Sequence, residues 1–89
     1  MTDENFPLVE YPIEFPLKVI GADEPDFEDF VVEIVRRHVP ELLVENITSQ
    51  LSSGNKYRSV NFFFIAQSRA QVDALYEELS NHKRVLYIL

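Results

Sequence analysis

Apolar residues in this chain change their spacing in a set order, and that order restricts the fold more than any other feature. Between Ile13 and Ile20 they alternate. Ile13, Phe15, Leu17 and Val19 fall on one side, and Glu14, Pro16, Lys18 and Ile20 on the other. A period of two indicates a half-buried strand. Pro16 has no amide hydrogen to give to a ladder, so its position predicts an edge or an irregularity. Gly21 is expected to end the strand in a tight turn. The spacing then becomes helical: Phe27, Phe30, Val31, Ile34, Val35 and His38 form one stripe. Asp23, Glu24 and Pro25 read as the helix start, with proline in the first turn. Arg36, Arg37 and His38 close the helix where its dipole favours cations, and Pro40 stops it.

The same order then recurs. Leu43 to Leu51 reads as an edge strand in weak alternation, and Ser52-Ser53-Gly54-Asn55 as a turn. Tyr57 to Ala66, rich in aromatic and β-branched residues, is the strongest strand. Ser68, with Gln71 three residues on, predicts a capped second helix whose buried stripe is Val72, Leu75, Tyr76 and Leu79. Arg84 to Leu89 is a last strand, apolar on both faces. The order βαββαβ with right-handed crossovers predicts an α+β, ferredoxin-like two-layer sandwich. In it a four-stranded antiparallel sheet carries both helices on one face. The first and third strands are central, and the second and fourth lie at the edges. Residues 13–89 form this single domain, and residues 1–12 an acidic lead-in punctuated by Pro7 and Pro12.

Several function classes are excluded or disfavoured by composition. With 89 residues and 46% apolar residues, the chain supports one small core. It has no cysteine, which removes disulfides and thiolate metal sites. The first dozen residues lack the basic and apolar regions of a signal peptide, and no apolar run is long enough to span a bilayer. A cytoplasmic location without membrane association is therefore expected. The net charge of −7 divides into −9 for residues 1–33, where Lys18 is the one base, and +2 for the remainder. A chain so acidic repels a phosphate backbone, so nucleic acid is not an expected partner. Phe62, Phe63 and Phe64 invite comparison with RNA-recognition sheets, but the basic and glycine-rich flanks of those sheets are missing.

The two helices leave one sheet face uncovered. In the third strand Ser59 and Asn61 mark the set Ser59, Asn61, Phe63 and Ile65 as facing away from the helices. In the first strand the matching set is Pro16, Lys18 and Ile20. In the last strand Leu86 and Ile88 are assigned outward, and Val85, Tyr87 and Leu89 inward. The open face is then expected to show Ile20, Phe63, Ile65, Leu86 and Ile88 as one apolar patch. A patch of that kind marks a contact with a protein partner or a second copy in a homodimer. The competing expectation is that the lead-in, through Phe6, Leu8 and Tyr11, folds over it.

Four stretches resemble a known family. They are Phe15-Pro-Leu-Lys18-Val19-Ile-Gly21, Val31-Val32-Glu33 through Arg37-His38-Val-Pro40, Gly54-Asn55-Lys-Tyr57-Arg-Ser59-Val60 and Tyr76-Glu77-Glu78-Leu79. In order and spacing they look like the YbeD family of small bacterial proteins of uncharacterised function. The chain departs from the family pattern by one extra residue, Lys56, in the turn before Tyr57. The resemblance implies a ferredoxin-like fold similar to the ACT regulatory domains, and a link to lipoate metabolism. It also implies an alternative function, binding of a small metabolite at the loop after the first strand, here Gly21, Ala22 and Asp23. Glycine there permits close backbone approach, but Asp23, Glu24 and Asp26 set negative charge against a carboxylate ligand.

No catalytic, metal or cofactor site is expected. His38 sits on a buried helical stripe, where packing or capping explains it. His82 stands alone in a loop, without metal-ligand spacing. Glu77 and Glu78 are adjacent on a helix and point apart, so they read as solvated carboxylates and not as an acid–base pair. The expected function is that of a non-enzymatic regulatory or adaptor domain acting through its open sheet face.

Overall fold

The computed structural model describes residues 10–52 and 54–89. Its elements are β1 (Ile13–Ala22), α1 (Phe27–His38), a short 3₁₀ turn (Val44–Asn46), β2 (Ile47–Leu51), β3 (Tyr57–Ala66), α2 (Arg69–Ser80) and β4 (Val85–Ile88). The sheet order is β2-β3-β1-β4, and every neighbouring pair is antiparallel. This is the α+β, ferredoxin-like arrangement expected from the periodicities. The central strands β1 and β3 pair over ten residues, from Ile13 opposite Ala66 to Ala22 opposite Tyr57.

One sheet face carries the core. Leu17 and Val19 of β1 and Val60, Phe62, Phe64 and Ala66 of β3 are buried there. They meet Phe27, Val31, Ile34 and Val35 of α1 and Leu75 and Leu79 of α2. Val39 and Leu42, in the connection after α1, close one end. Phe15 packs between Phe64 and Tyr76, with ring centroids at 5.6 and 6.3 Å. Tyr11 packs on this core side too, so it does not cover the open face. Phe6 and Leu8 lie outside the described residues.

Helix starts and turns depart from the sequence reading in ways that have physical causes. β1 does not end before Gly21 but runs through it to Ala22. Gly21 is no turn glycine, because its φ is not positive. Helix α1 begins at Phe27, so Pro25 lies in the turn before it. Asp26 occupies the cap position but makes no side-chain cap bond, because its carboxylate is held by Arg84 at 2.7 and 3.2 Å. The stretch after Leu43 coils into the 3₁₀ turn before β2, which shortens the edge strand to five residues. Asn55, not Gly54, takes the left-handed conformation in the β2–β3 turn, at φ 58°, a geometry asparagine tolerates. Ser68 caps α2 as expected, accepting from the Gln71 amide at 3.1 Å. The Gln71 side chain reaches one residue further back, where its Oε1 accepts from the Gln67 amide at 2.7 Å.

The two helices are also joined by charge. Glu78 of α2 accepts from Arg37 and lies 2.7 Å from His38 Nε2, both at the end of α1. It is therefore an inter-helix tie and not a freely solvated acid. Those two bonds, from Arg37 first and then His38, hold its carboxyl below the ordinary value. A carboxylate held low in the folded state stabilises fully at neutral pH and loses that effect as pH falls through its folded value. Glu78→Gln is expected to cost about 1 kcal/mol at neutral pH. The variant and the parent should converge in denaturant midpoint once the pH falls below the folded-state value of the Glu78 carboxyl, which lies below the ordinary carboxylate range. An unchanged gap between them at acid pH would remove the ion tie as the cause.

Candidate functional site

The open face follows from the ladder registers, because directly opposed residues in antiparallel strands point the same way. Row by row, Glu14 lies beside Ile65, and Pro16 beside Phe63. The next row is Thr48, Asn61, Lys18 and Leu89, the last joined to Lys18 by two backbone bonds of 2.8 and 3.0 Å. Beyond it run Gln50, Ser59, Ile20 and Tyr87.

Phe63 and Ile65 stand on this face at 42% and 44% exposure, although they belong to a central strand. Ile20 is half-buried on the same face. The last strand differs from expectation. Its register against β1 shifts between Ile20 and Gly21, where Val85 pairs with Gly21 and Tyr87 with Ile20, leaving Leu86 without an opposite residue. This bulge reverses the facing of the strand residues beyond it. Ile88 lies opposite buried Val19 and packs against the core, so it does not belong to the open face. Tyr87, 64% exposed, and Leu89 take its place. Leu86 is exposed at the bulge and lines a shallow depression with Tyr76 and Ser80 of α2.

The expected single patch is therefore two apolar bands. Phe63, Ile65 and Pro16 form one, and Ile20, Tyr87 and Leu89 the other. The polar pair Asn61 and Lys18 lies between Phe63 and Ile20 in the rows. The first band continues around the sheet edge into a groove of about 310 Å³, bordered by Val39, Leu42, Leu43, Phe63 and Ile65. Tyr87 and Leu89 were not legible as open-face residues. The signal that places them is the bulge opposite Gly21.

The loop after β1 has a different character. The Cβ of any larger residue at Gly21 would lie 2.4 Å from the Phe27 ring and 2.5 Å from the Arg84 carbonyl oxygen. Glycine is thus required by packing, and that side of the backbone is already filled. Ala22 ends the strand, exposed. The amide of Asp23 donates to the Lys56 carbonyl at 3.0 Å, and its carboxylate accepts from Arg58 Nε at 2.8 Å. Arg84 pairs with both Glu24 and Asp26, and its guanidinium lies 4.6 Å from the centroid of the Phe30 ring. Its hydrogen bonds hold the Asp26 carboxyl below its ordinary value. The loop acids are therefore largely matched by cations. The adjoining depression, about 460 Å³, is bordered by Asp23, Glu24, Pro25, Glu28 and Arg58. Three carboxylates and an arginine already bound to one of them suit an amino-acid carboxylate poorly.

His38 is held by Glu78, and the His82 ring stands edge-on to Phe30 at 5.0 Å. Among the described residues no group of three or more His, Asp or Glu could hold a metal ion. Among the described residues no helix is long and apolar enough to cross a membrane.

Residues 7–89 match the family described as "Protein of unknown function (DUF493)". A UPF0250 protein of Hahella chejuensis is 40% identical over 91 residues, covering all of both chains. The chain belongs to this family. Another UPF0250 protein, from Neisseria meningitidis, is 38% identical across 92% of this chain and 90% of its own. The YbeD-like motifs agree with this membership. Among solved structures, the solution structure of protein HP0495 from H. pylori superposes with TM-score 0.70 at 16% identity, over 98% of this chain and 91% of that one. The ACT domain from GTP pyrophosphokinase of Chlorobium tepidum gives TM-score 0.55 at 13% identity, over 88% and 96%. At those identities the likeness is one of fold, and it places the UPF0250 chain among ACT-like ferredoxin folds. The matched family names no enzymatic activity.

Proposed function

We propose that this UPF0250 chain is a small regulatory or adaptor domain that works by protein–protein contact through its open sheet face. The observation that carries this reading is the position of Phe63 and Ile65. Two large apolar side chains on a central strand, about two-fifths exposed, lose the stabilisation that burial of the same groups supplies elsewhere in the sheet. Burying the two-fifths of each that remains exposed against a partner recovers about 1 kcal/mol per side chain. The neighbouring groove along Leu42 and Leu43 extends the same apolar surface. A metabolite sensor at Gly21, Ala22 and Asp23 has less behind it, since Gly21 is enclosed by Phe27 and the loop is lined by acids.

Phe63→Asp separates binding from folding. Its side chain lies on the face away from the helices, so the variant is expected to lose about 2 kcal/mol and still fold at low temperature, where its association is measured. Association with a partner chain, monitored by light scattering and by affinity capture, should weaken at least tenfold. Undiminished association by Phe63→Asp would rule out the open face as the contact surface.

A further inference from the structure

We propose that the occupant of the open face is the same face of a second copy of this chain, related by a two-fold axis that crosses the sheet over Pro16 and Phe63. This rests on the interaction-domain reading and names its partner. The strand residues on this face carry one acid, Glu14, and one base, Lys18, in a chain of net charge −7. The face is thus the neutral approach for two molecules that otherwise repel. Glu14 and Lys18 stand two residues to either side of Pro16 on β1, and Phe63 is the residue opposite Pro16. Among the described residues neither Glu14 nor Lys18 takes part in an ion pair.

That spacing is self-complementary. A two-fold axis lying between the sheets, perpendicular to β1 at Pro16, sets the two β1 strands antiparallel and face to face. Glu14 of each copy then lies over Lys18 of the other, with Asn61 beside that lysine as a further donor. Phe63 of one copy meets Phe63 of its mate at the axis. Reciprocal contact of this kind is what an isologous interface requires. Packed sheets stand about 10 Å apart, a gap that a lysine and a glutamate side chain together bridge. Turning the axis parallel to the strands would put Lys18 over Lys18, so the charges select one orientation. Four strands spaced about 4.8 Å, two of them short, give a face of about 500 Å² per copy. That is below the roughly 800 Å² per partner of a standard interface, so a weak dimer of micromolar or poorer affinity is expected.

Sedimentation equilibrium on the full chain and its charge variants tests this, at concentrations up to about 1 mM. The parent should dimerise. Glu14→Lys and Lys18→Glu should each weaken the dimer about tenfold or more, because each places two like-charged pairs across the axis. The double exchange should restore it. An equimolar mixture of the two single variants should form a mixed dimer tighter than either variant alone. Glu14 is exposed, so Glu14→Lys carries the test even if half-buried Lys18 tolerates no acid; Glu14→Gln then separates lost attraction from added repulsion. A parent that stays monomeric, or a dimer that the single exchanges leave unchanged, overturns the proposal. If the parent is monomeric yet captures a different protein through Phe63, the second copy is wrong and the interaction-domain reading stands. If it does neither, both fail.

Discussion

Gly21→Ala is expected to destabilise the domain by about 2–3 kcal/mol, a large part of the roughly 5–10 kcal/mol that a chain of this size has in total. The added methyl would lie 2.4 Å from the Phe27 ring and 2.5 Å from the Arg84 carbonyl oxygen. A side chain at such a distance can rotate away; the carbonyl belongs to the backbone entering β4, and Phe27 is fully buried. Something in the packing of α1, β1 and β4 must therefore move. The smaller unfolded-state entropy of alanine offsets only about 0.4–1 kcal/mol of this. Thermal unfolding should show a midpoint about 10–20 °C lower. A double-mutant cycle with Phe27→Ala apportions the cost. If the ring is the main obstacle, the double variant loses less than the two singles together; if the carbonyl is, the losses add. A Gly21→Ala variant as stable as its parent would contradict the close approach itself.

The same glycine explains where sequence and structure part. The strands of strong alternation, β1 and β3, were legible because polar residues mark one phase: Glu14 and Lys18 in one, Ser59 and Asn61 in the other. The helical stripes were legible for the same reason, and the capping Ser68 fixed where α2 begins. Val85-Leu-Tyr-Ile-Leu has no such marker, since every position is apolar and either phase satisfies the pattern. Its face is decided by a bulge opposite Gly21, a three-dimensional event with no local signature. Hence Ile88, outward by simple alternation, is in the core, and Tyr87, inward by the same rule, is on the open face. Charge misleads for a related reason. Asp23, Asp26 and Glu78 look solvated in sequence because their partners Arg58, Arg84 and Arg37 lie 35 to 58 residues away along the chain. The central charge pair of the open face was legible as residues but not as a pattern. Its meaning depends on Phe63 standing opposite Pro16.

If the open face is the contact surface proposed above, its division into two bands narrows what it can recognise. One continuous apolar patch would bind by area alone and with little orientation. Two apolar bands with the polar pair Asn61 and Lys18 between Phe63 and Ile20 would impose a register, since a partner would have to offer polar groups where that pair stands. The loop after β1 moves the other way. Its acids are matched by Arg58 and Arg84, and its glycine is enclosed, so its features serve the junction of β1, α1 and β4.

Leu79→Ala should bring the second large loss, about 3 kcal/mol. Helix α1 sinks four residues into the core: Phe27, Val31, Ile34 and Val35. Helix α2 has only Leu75 and Leu79. Removing either takes away half of the fully buried anchoring of α2. The remaining anchors are half-buried Val72 and Tyr76, the bond from Gln71 Nε2 to the His38 carbonyl at 2.8 Å, and the Glu78 tie to Arg37 and His38. Polar ties of that kind contribute about 1 kcal/mol each, so they do not compensate for a cavity where a leucine stood. Hydrogen exchange should locate the damage: amides of α2 should lose protection first, while those of the β1–β3 ladder, paired over ten residues, exchange only on global unfolding. The open face belongs to that ladder. At temperatures where both variants remain folded, Leu79→Ala should associate as strongly as the parent, whereas Phe63→Asp should associate at least tenfold more weakly. A Leu79→Ala variant that lost association while its β1–β3 amides stayed protected would show that α2, and not the open face alone, takes part in the contact.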